Sequence, residues 1–316
     1  MSLISRLVNG LRILGTALTA LFMLCGAATA GAAPPGAADE DRPPVGAPWP
    51  LLEARTVPSR DGTSIAYWAG GRGKTTLVFV HGWSCNHQFF GPQFSAVAPS
   101  YRFLAIDLAG HGASGLRKGP VTVEAFADDV EAVVRREVKG PVILVAHSTG
   151  GRVSTAVTRR LGEQLIGVIG VDTFQNLGMP PPKEELATAR LAAQRADFVG
   201  DTRRYVATFF QPGSDPAMAS WVERQMTATN PDAAIAATEA YFRFDAKAAI
   251  AGWPRPVIAI NSDWVPTDYR AIRKFVPGFD LVLLPGRGHF PQLDDPDSFN
   301  PILLATIRRI ESAAAK

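Results

Sequence analysis

Between residues 76 and 284 the chain alternates short apolar runs with segments in which apolar residues recur every three or four positions. The runs 76–80, 103–106, 142–146, 165–171, 257–260 and 281–284 are largely apolar and rich in β-branched side chains. Such runs suit strands buried on both faces of a parallel sheet. Segments 123–138 and 153–161 carry the helical period between strands, which predicts a doubly wound, mostly parallel α/β sheet. Ahead of them, residues 51–71 read as two strands joined at Asp61-Gly62, an antiparallel hairpin.

The alternation stops between about 176 and 252. Four helical stretches follow one another there (184–199, 202–210, 217–226 and 233–250), separated by Gly200-Asp201, Pro212-Gly213 and Asn230-Pro231. A run of helices inserted into a parallel sheet is expected to lie over the strand ends as a cap. Its aromatic residues Phe198, Phe209, Phe210, Trp221, Tyr241, Phe242 and Phe244 are candidates for a substrate pocket, with more than half expected to pack helix on helix instead.

The first segment changes the picture of where the protein acts. Arg6 and Arg12 precede an uncharged apolar stretch, and Ala28-Thr29-Ala30 matches a small-x-small cleavage site, so residues 1–30 read as a signal peptide. The protein is therefore expected to be exported. The alternative is an anchor, since the uncharged span 13–38 is long enough to cross a bilayer if it is not cleaved. Residues 31–50, rich in Pro, Ala and Gly, read as a linker to a body at 51–316. Of 32 basic and 29 acidic residues, two arginines leave with the leader, so the body carries no basic excess of the kind that binds nucleic acid. Cys25 leaves as well, and Cys85 is then alone, without a disulfide partner.

In doubly wound sheets ligands bind beyond the carboxyl ends of the strands, and here the polar clusters fall at those ends. His81-Gly82-Trp83 follows the run 76–80, Asp107 through Ser114 follows 103–106, Asn261-Ser262-Asp263 follows 257–260, and Gly288-His289-Phe290 follows 281–284. The run 142–146 ends in Ala146-His147-Ser148-Thr149-Gly150 and passes at once into a helical pattern. A serine between small residues at a strand-to-helix turn is a nucleophile elbow, here with Ala146 adding one methyl at a position the motif usually fills with glycine. Gly62-Thr63-Ser64-Ile65-Ala66 fits the same relaxed pattern but leads into a strand, so Ser64 lacks the context.

A serine hydroxyl needs an adjacent imidazole to take its proton, and His289, in a glycine-rich loop after a strand, is the candidate base for Ser148. Taken together, His81-Gly82-Trp83, the 107–114 loop, the elbow and Gly288-His289-Phe290 with Pro296 and Phe299 resemble the α/β-hydrolase fold superfamily over about residues 53–313. The resemblance implies an α/β-hydrolase fold with a helical cap insertion. It also implies a carboxylate orienting His289, placed at Asp263 by the superfamily's usual order, with Asp172 the second candidate and Asp268 a fallback. The oxyanion hole would be the backbone N–H groups of Thr149, opening the helix, and of Trp83, by resemblance.

The sequence thus leads to an exported serine hydrolase that cleaves a small to medium apolar ester through an acyl-enzyme. An amide, lactone or C–C substrate, or a non-catalytic ligand-binding protein on the same scaffold, are the alternatives. No cofactor and no metal are expected, because neither a phosphate-binding glycine loop nor a ligand cluster is present. The expected partner is a small-molecule substrate, with no nucleic acid, and a membrane only through an uncleaved N-terminal segment.

Overall fold

The computed structural model describes residues 42–45, 49, 52–179 and 183–315. The expected signal peptide and most of the linker lie outside the described residues. Eight strands form one sheet in the order β1-β2-β4-β3-β5-β6-β7-β8: β1 (Glu53–Pro58), β2 (Ser64–Gly71), β3 (Thr76–Val80), β4 (Arg102–Ile106), β5 (Val142–His147), β6 (Leu165–Val171), β7 (Val257–Asn261) and β8 (Phe279–Leu283). The pairs β1–β2 and β2–β4 are antiparallel, and all others are parallel. Ser64, the decoy serine, opens β2 opposite Pro58.

Every residue of β3, β5, β6 and β7 is buried, as the unbroken apolar runs require, while β1 and β8 at the edges are partly exposed. Alternate side chains of each strand serve different helix layers. Val78, Val80, Leu144 and Ala146 pack with the apolar faces of α2 (Val123–Glu137) and α3 (Thr149–Val157). Leu77, Phe79, Ile143 and Val145 pack with two helices the sequence reading did not delimit, Gly91–Val97 and Pro296–Ala314. The second of these holds Phe299, Leu303, Ile307 and Ile310 against the sheet in spite of Pro301 within it.

Between β6 and β7 lie five helices rather than four: Glu184–Ala196, Phe198–Ala207, Pro216–Thr227, Pro231–Arg243 and Ala246–Ile250. The stretch 233–250 is divided at Asp245, and the boundary expected at Gly200-Asp201 falls instead at Asp197. The Asp197 side chain accepts from the Gly200 N–H and the Asp245 side chain from the Ala248 N–H, each capping a new helix where the period alone suggested continuation.

Buried polar groups set the shape of the loops at the carboxyl ends. The Asp107 carboxylate accepts from the N–H groups of His87 (2.7 Å) and Ala113 (2.8 Å), which folds the loop after β4 back on itself. That fold brings Gly112 so close that a Cβ there would lie 1.9 Å from Asp107 Oδ2, with φ at +50°. His81 donates from Nδ1 to Gly82 O and accepts the Leu108 N–H at Nε2, joining the loops after β3 and β4. Burial holds its pKa down to about 3, so it remains the neutral tautomer that both bonds need.

Two glycines separate backbone strain from steric conflict. Gly286, at φ +73° with open space around it, should lose roughly 1 kcal/mol as Gly286→Ala, the cost of a left-handed alanine. Gly112→Ala meets the same strain plus the Asp107 carboxylate and should lose at least about 2 kcal/mol. The comparison is read from urea unfolding midpoints of the two variants.

Candidate active site

The chain turns from β5 into α3 at Ser148, which holds φ 52° and ψ −123°, outside the helical and extended regions. Neighbouring strands hold that conformation. The Ser148 N–H donates to Val171 O at the end of β6 (3.1 Å), and the Thr173 hydroxyl donates to Ser148 O (2.7 Å). The first turn of α3 passes close under β3, so a Cβ at Gly150 would lie 2.5 Å from Val80 O and 2.6 Å from His81 O. Ala146, by contrast, is held in the sheet between Val80 and Gly170, where its methyl is accommodated without exposure.

His289 stands across the turn, with Nε2 2.9 Å from Ser148 Oγ. On the other side of the ring, Nδ1 lies 2.6 Å from Asp172 Oδ2. A carboxylate can only accept, so Nδ1 carries the proton and Nε2 is left to accept from the serine hydroxyl. Asp172 is 1% exposed, and its other oxygen accepts from the Ser262 N–H and hydroxyl, both at 2.9 Å.

Asp263, expected against His289, is elsewhere. Its carboxylate accepts the Gly286 N–H at 2.8 Å and is tied into the loop after β8. The register explains the exchange. His147 pairs with Val171, so Ser148 and Asp172 leave adjacent strands side by side, and Asp172 adopts φ 42° there. The end of β7 sends Ser262 to that carboxylate as a donor instead of supplying a carboxylate of its own. Asp268, the fallback, caps the helix Tyr269–Arg273 through the Ala271 N–H.

Three bonds fix the His289 loop. His147 Nε2 donates to His289 O (2.9 Å), the His289 N–H donates to Phe209 O (2.7 Å), and the Gly288 N–H donates to Asp294 (2.9 Å). Burial, and then the charge His289 can carry, push the His147 pKa well below its usual range, keeping that ring neutral. The rings of Phe209 and Trp264 lie 4.7 and 4.9 Å from that of His289. Sequence reasoning gave no site role to His147, Thr173 and Ser262, visible only once the strands are paired, and it named Phe209 only as a pocket candidate, not as the backbone acceptor of the His289 N–H.

Trp83 and Thr149 line the same cavity as Ser148 and His289, and neither backbone N–H has a partner among the described residues. The Trp83 indole donates to Ala234 O of the cap at 2.8 Å, fixing the loop after β3. The cavity measures about 570 Å³. Phe209, Tyr241, Phe242 and Phe244 line it, so four of the seven cap aromatics face it, more than expected. Phe198 packs on Trp83, Trp221 on Phe89 and Phe210 on Phe290. Cys85 is buried and free, and burial raises its thiol well above the ordinary range, which leaves it unreactive. Among the described residues no group of three His, Cys, Asp or Glu side chains could hold a metal ion, and no helix is long and apolar enough to cross a membrane.

Residues 77–302 match the family model described as "Alpha/beta hydrolase family". The chain is 28% identical over 96 residues to 2-(acetamidomethylene)succinate hydrolase of Mesorhizobium japonicum, a match covering 30% of this chain and 34% of that protein. It is 25% identical over 273 residues to the non-heme chloroperoxidase CPO-A1 of Kitasatospora aureofaciens, covering 79% of this chain and 98% of that one. Among solved structures, a thermophilic esterase from Thermogutta terrifontis superposes with a TM-score of 0.72 at 20% identity, over 82% of this chain and 99% of that one, a likeness of fold.

The partner of His289 can be checked without any substrate. The proton held between His289 and Asp172 should appear as a far-downfield NMR resonance, lost in Asp172→Asn and retained in Asp263→Asn. Loss in Asp263→Asn alone would contradict the geometry.

Proposed function

Because the chain belongs to the alpha/beta hydrolase family, we propose that it is a serine hydrolase that cleaves carboxylic esters through an acyl-enzyme, with Ser148 as nucleophile, His289 as base and Asp172 as acid. The observation that carries this reading is the continuous chain Ser148 Oγ, His289, Asp172, closed at 2.9 and 2.6 Å around a serine in a strained turn.

The chemistry follows from the protons. His289 Nε2 takes the Ser148 proton as Oγ attacks the ester carbonyl carbon, and Asp172 stabilises the imidazolium that forms. The carbonyl oxygen becomes an oxyanion and is received by the Trp83 and Thr149 N–H groups, which no acceptor among the described residues occupies. The imidazolium then protonates the departing alcohol. Water, deprotonated by the same ring, attacks the acyl-enzyme and frees the acid. The helix dipole of α3 adds to the field at the oxyanion, since its first turn begins at Thr149. The aromatic lining of the cavity suits an apolar portion of the substrate.

Export belongs to the same proposal. It is supported by the basic and apolar leader ending at Ala28-Thr29-Ala30.

In the purified chain, Ser148→Ala should abolish both fluorophosphonate labelling and hydrolysis of p-nitrophenyl esters. Asp172→Asn should lower kcat by about 10³- to 10⁴-fold, as loss of the correct histidine tautomer does. Asp263→Asn should remain within roughly three-fold of the unsubstituted chain, the effect of a surface turn contact. Absence of labelling in the unsubstituted chain would defeat the enzyme reading. Expressed with its leader in a secreting bacterium, the protein should be recovered outside the cytoplasm with Gly31 as its first residue, read by N-terminal sequencing. Recovery with Met1 in the membrane fraction would assign the segment as an anchor.

A further inference from the structure

Of the charged side chains that line the cavity, only the exposed Lys247 and the partly buried Arg152 have neither a hydrogen bond nor an ion pair among the described residues. Asp172 is held by His289 and Ser262. Arg190 pairs with Asp201 at 2.6 Å and lies over the Tyr205 ring at 4.5 Å. Asp245 caps a helix through the Ala248 N–H, and Lys247 lies 5.1 Å above the Phe275 ring. Arg152 has no hydrogen bond and no ion pair among the described residues, although it is only partly exposed and burial draws its guanidinium below its ordinary range.

Two buried hydroxyls lie beside it. Those of Thr149 and Tyr241 face one another and have no partner other than each other among the described residues. Arg152 is the charged neighbour of Tyr241 from the cavity wall, and both line the cavity with Thr149 and Ser148. On α3, Arg152 follows Ser148 by four positions and so lies on the same side of the helix, one turn on. A guanidinium fork and two hydroxyls able to donate thus line the same cavity as the nucleophile. A guanidinium on a cavity wall without a counter-charge is open to a ligand that carries one. The planar fork of arginine matches a carboxylate with two parallel bonds.

We propose that Arg152, Thr149 and Tyr241 form a carboxylate subsite, so that the preferred substrate is an ester bearing a free carboxylate, such as a monoester of a short dicarboxylic acid. This rests on Ser148 being the nucleophile. It refines the apolar substrate expected from the cap aromatics: the wall of the cavity at α3 carries a guanidinium without a counter-charge.

The test separates recognition from chemistry. In purified Ser148→Ala, calorimetry compares monomethyl glutarate with dimethyl glutarate, which differ by the one free carboxylate. The monoester should bind about ten-fold more tightly or better, the value of charge-assisted hydrogen bonds. Arg152→Met on the Ser148→Ala background should erase that preference, and Arg152→Lys should restore part of it. Since no protein group depends on the guanidinium, Arg152→Met should leave Tm unchanged or raised. Equal binding of the two esters, no binding of monomethyl glutarate, a preference that survives Arg152→Met, or a clear fall in Tm would each overturn the proposal. Failure of the serine reading shows separately, as absent fluorophosphonate labelling of the unsubstituted chain, because the calorimetry requires no bond cleavage.

Discussion

The geometry of the site depends on a single strained residue. Ser148 sits at φ 52° and ψ −123°, a conformation that an isolated peptide would abandon. It persists because the turn is gripped from three sides: Val171 O takes its N–H, the Thr173 hydroxyl takes its carbonyl, and α3 starts so close to β3 that only Gly150 fits. The strain raises Oγ above the strand ends, within 2.9 Å of His289.

Around that turn the positive-φ residues form a pattern. Ser84, Ser148, Asp172 and Phe174 are the non-glycine residues with positive φ among those described, and all follow strands of the parallel sheet at its carboxyl end. The sheet itself is regular and buried, and it carries the deviations at its rim. A rigid parallel core can hold several such residues together because each is anchored to the strand beside it, as Asp172 is through Ile260 O.

The strands were legible because each is an apolar run cut off by polar residues, and so were Ser148 and His289, each placed by a motif and a loop. The carboxylate beside His289 was not, and the reason is geometric. Asp172 and Asp263 both follow strands, and linear order does not say which strand end lies beside Ser148. The pairing of His147 with Val171 decides it, together with the two donors of Ser262 that hold the Asp172 carboxylate. The cap was legible as a helical interval but not in its divisions. An aspartate at helical spacing looks like a polar face until its side chain is seen to cap the next segment, as Asp197 and Asp245 do. No motif in the sequence sets Arg152 apart from other helix arginines, and only its place on the cavity wall makes its charge conspicuous.

The bond from the His289 N–H to Phe209 O has a mechanical meaning. Phe209 follows the helix Phe198–Ala207, and Gly288 lies so near that a Cβ there would be 2.0 Å from the same carbonyl. On the other side of the site, the Trp83 indole is tethered to Ala234 O of the cap. The covering helices are thus tied to the His289 loop at one end and to the Trp83 loop at the other. A displacement of the cover would strain both loops at once, so the cap and the rim of the sheet form one mechanical unit.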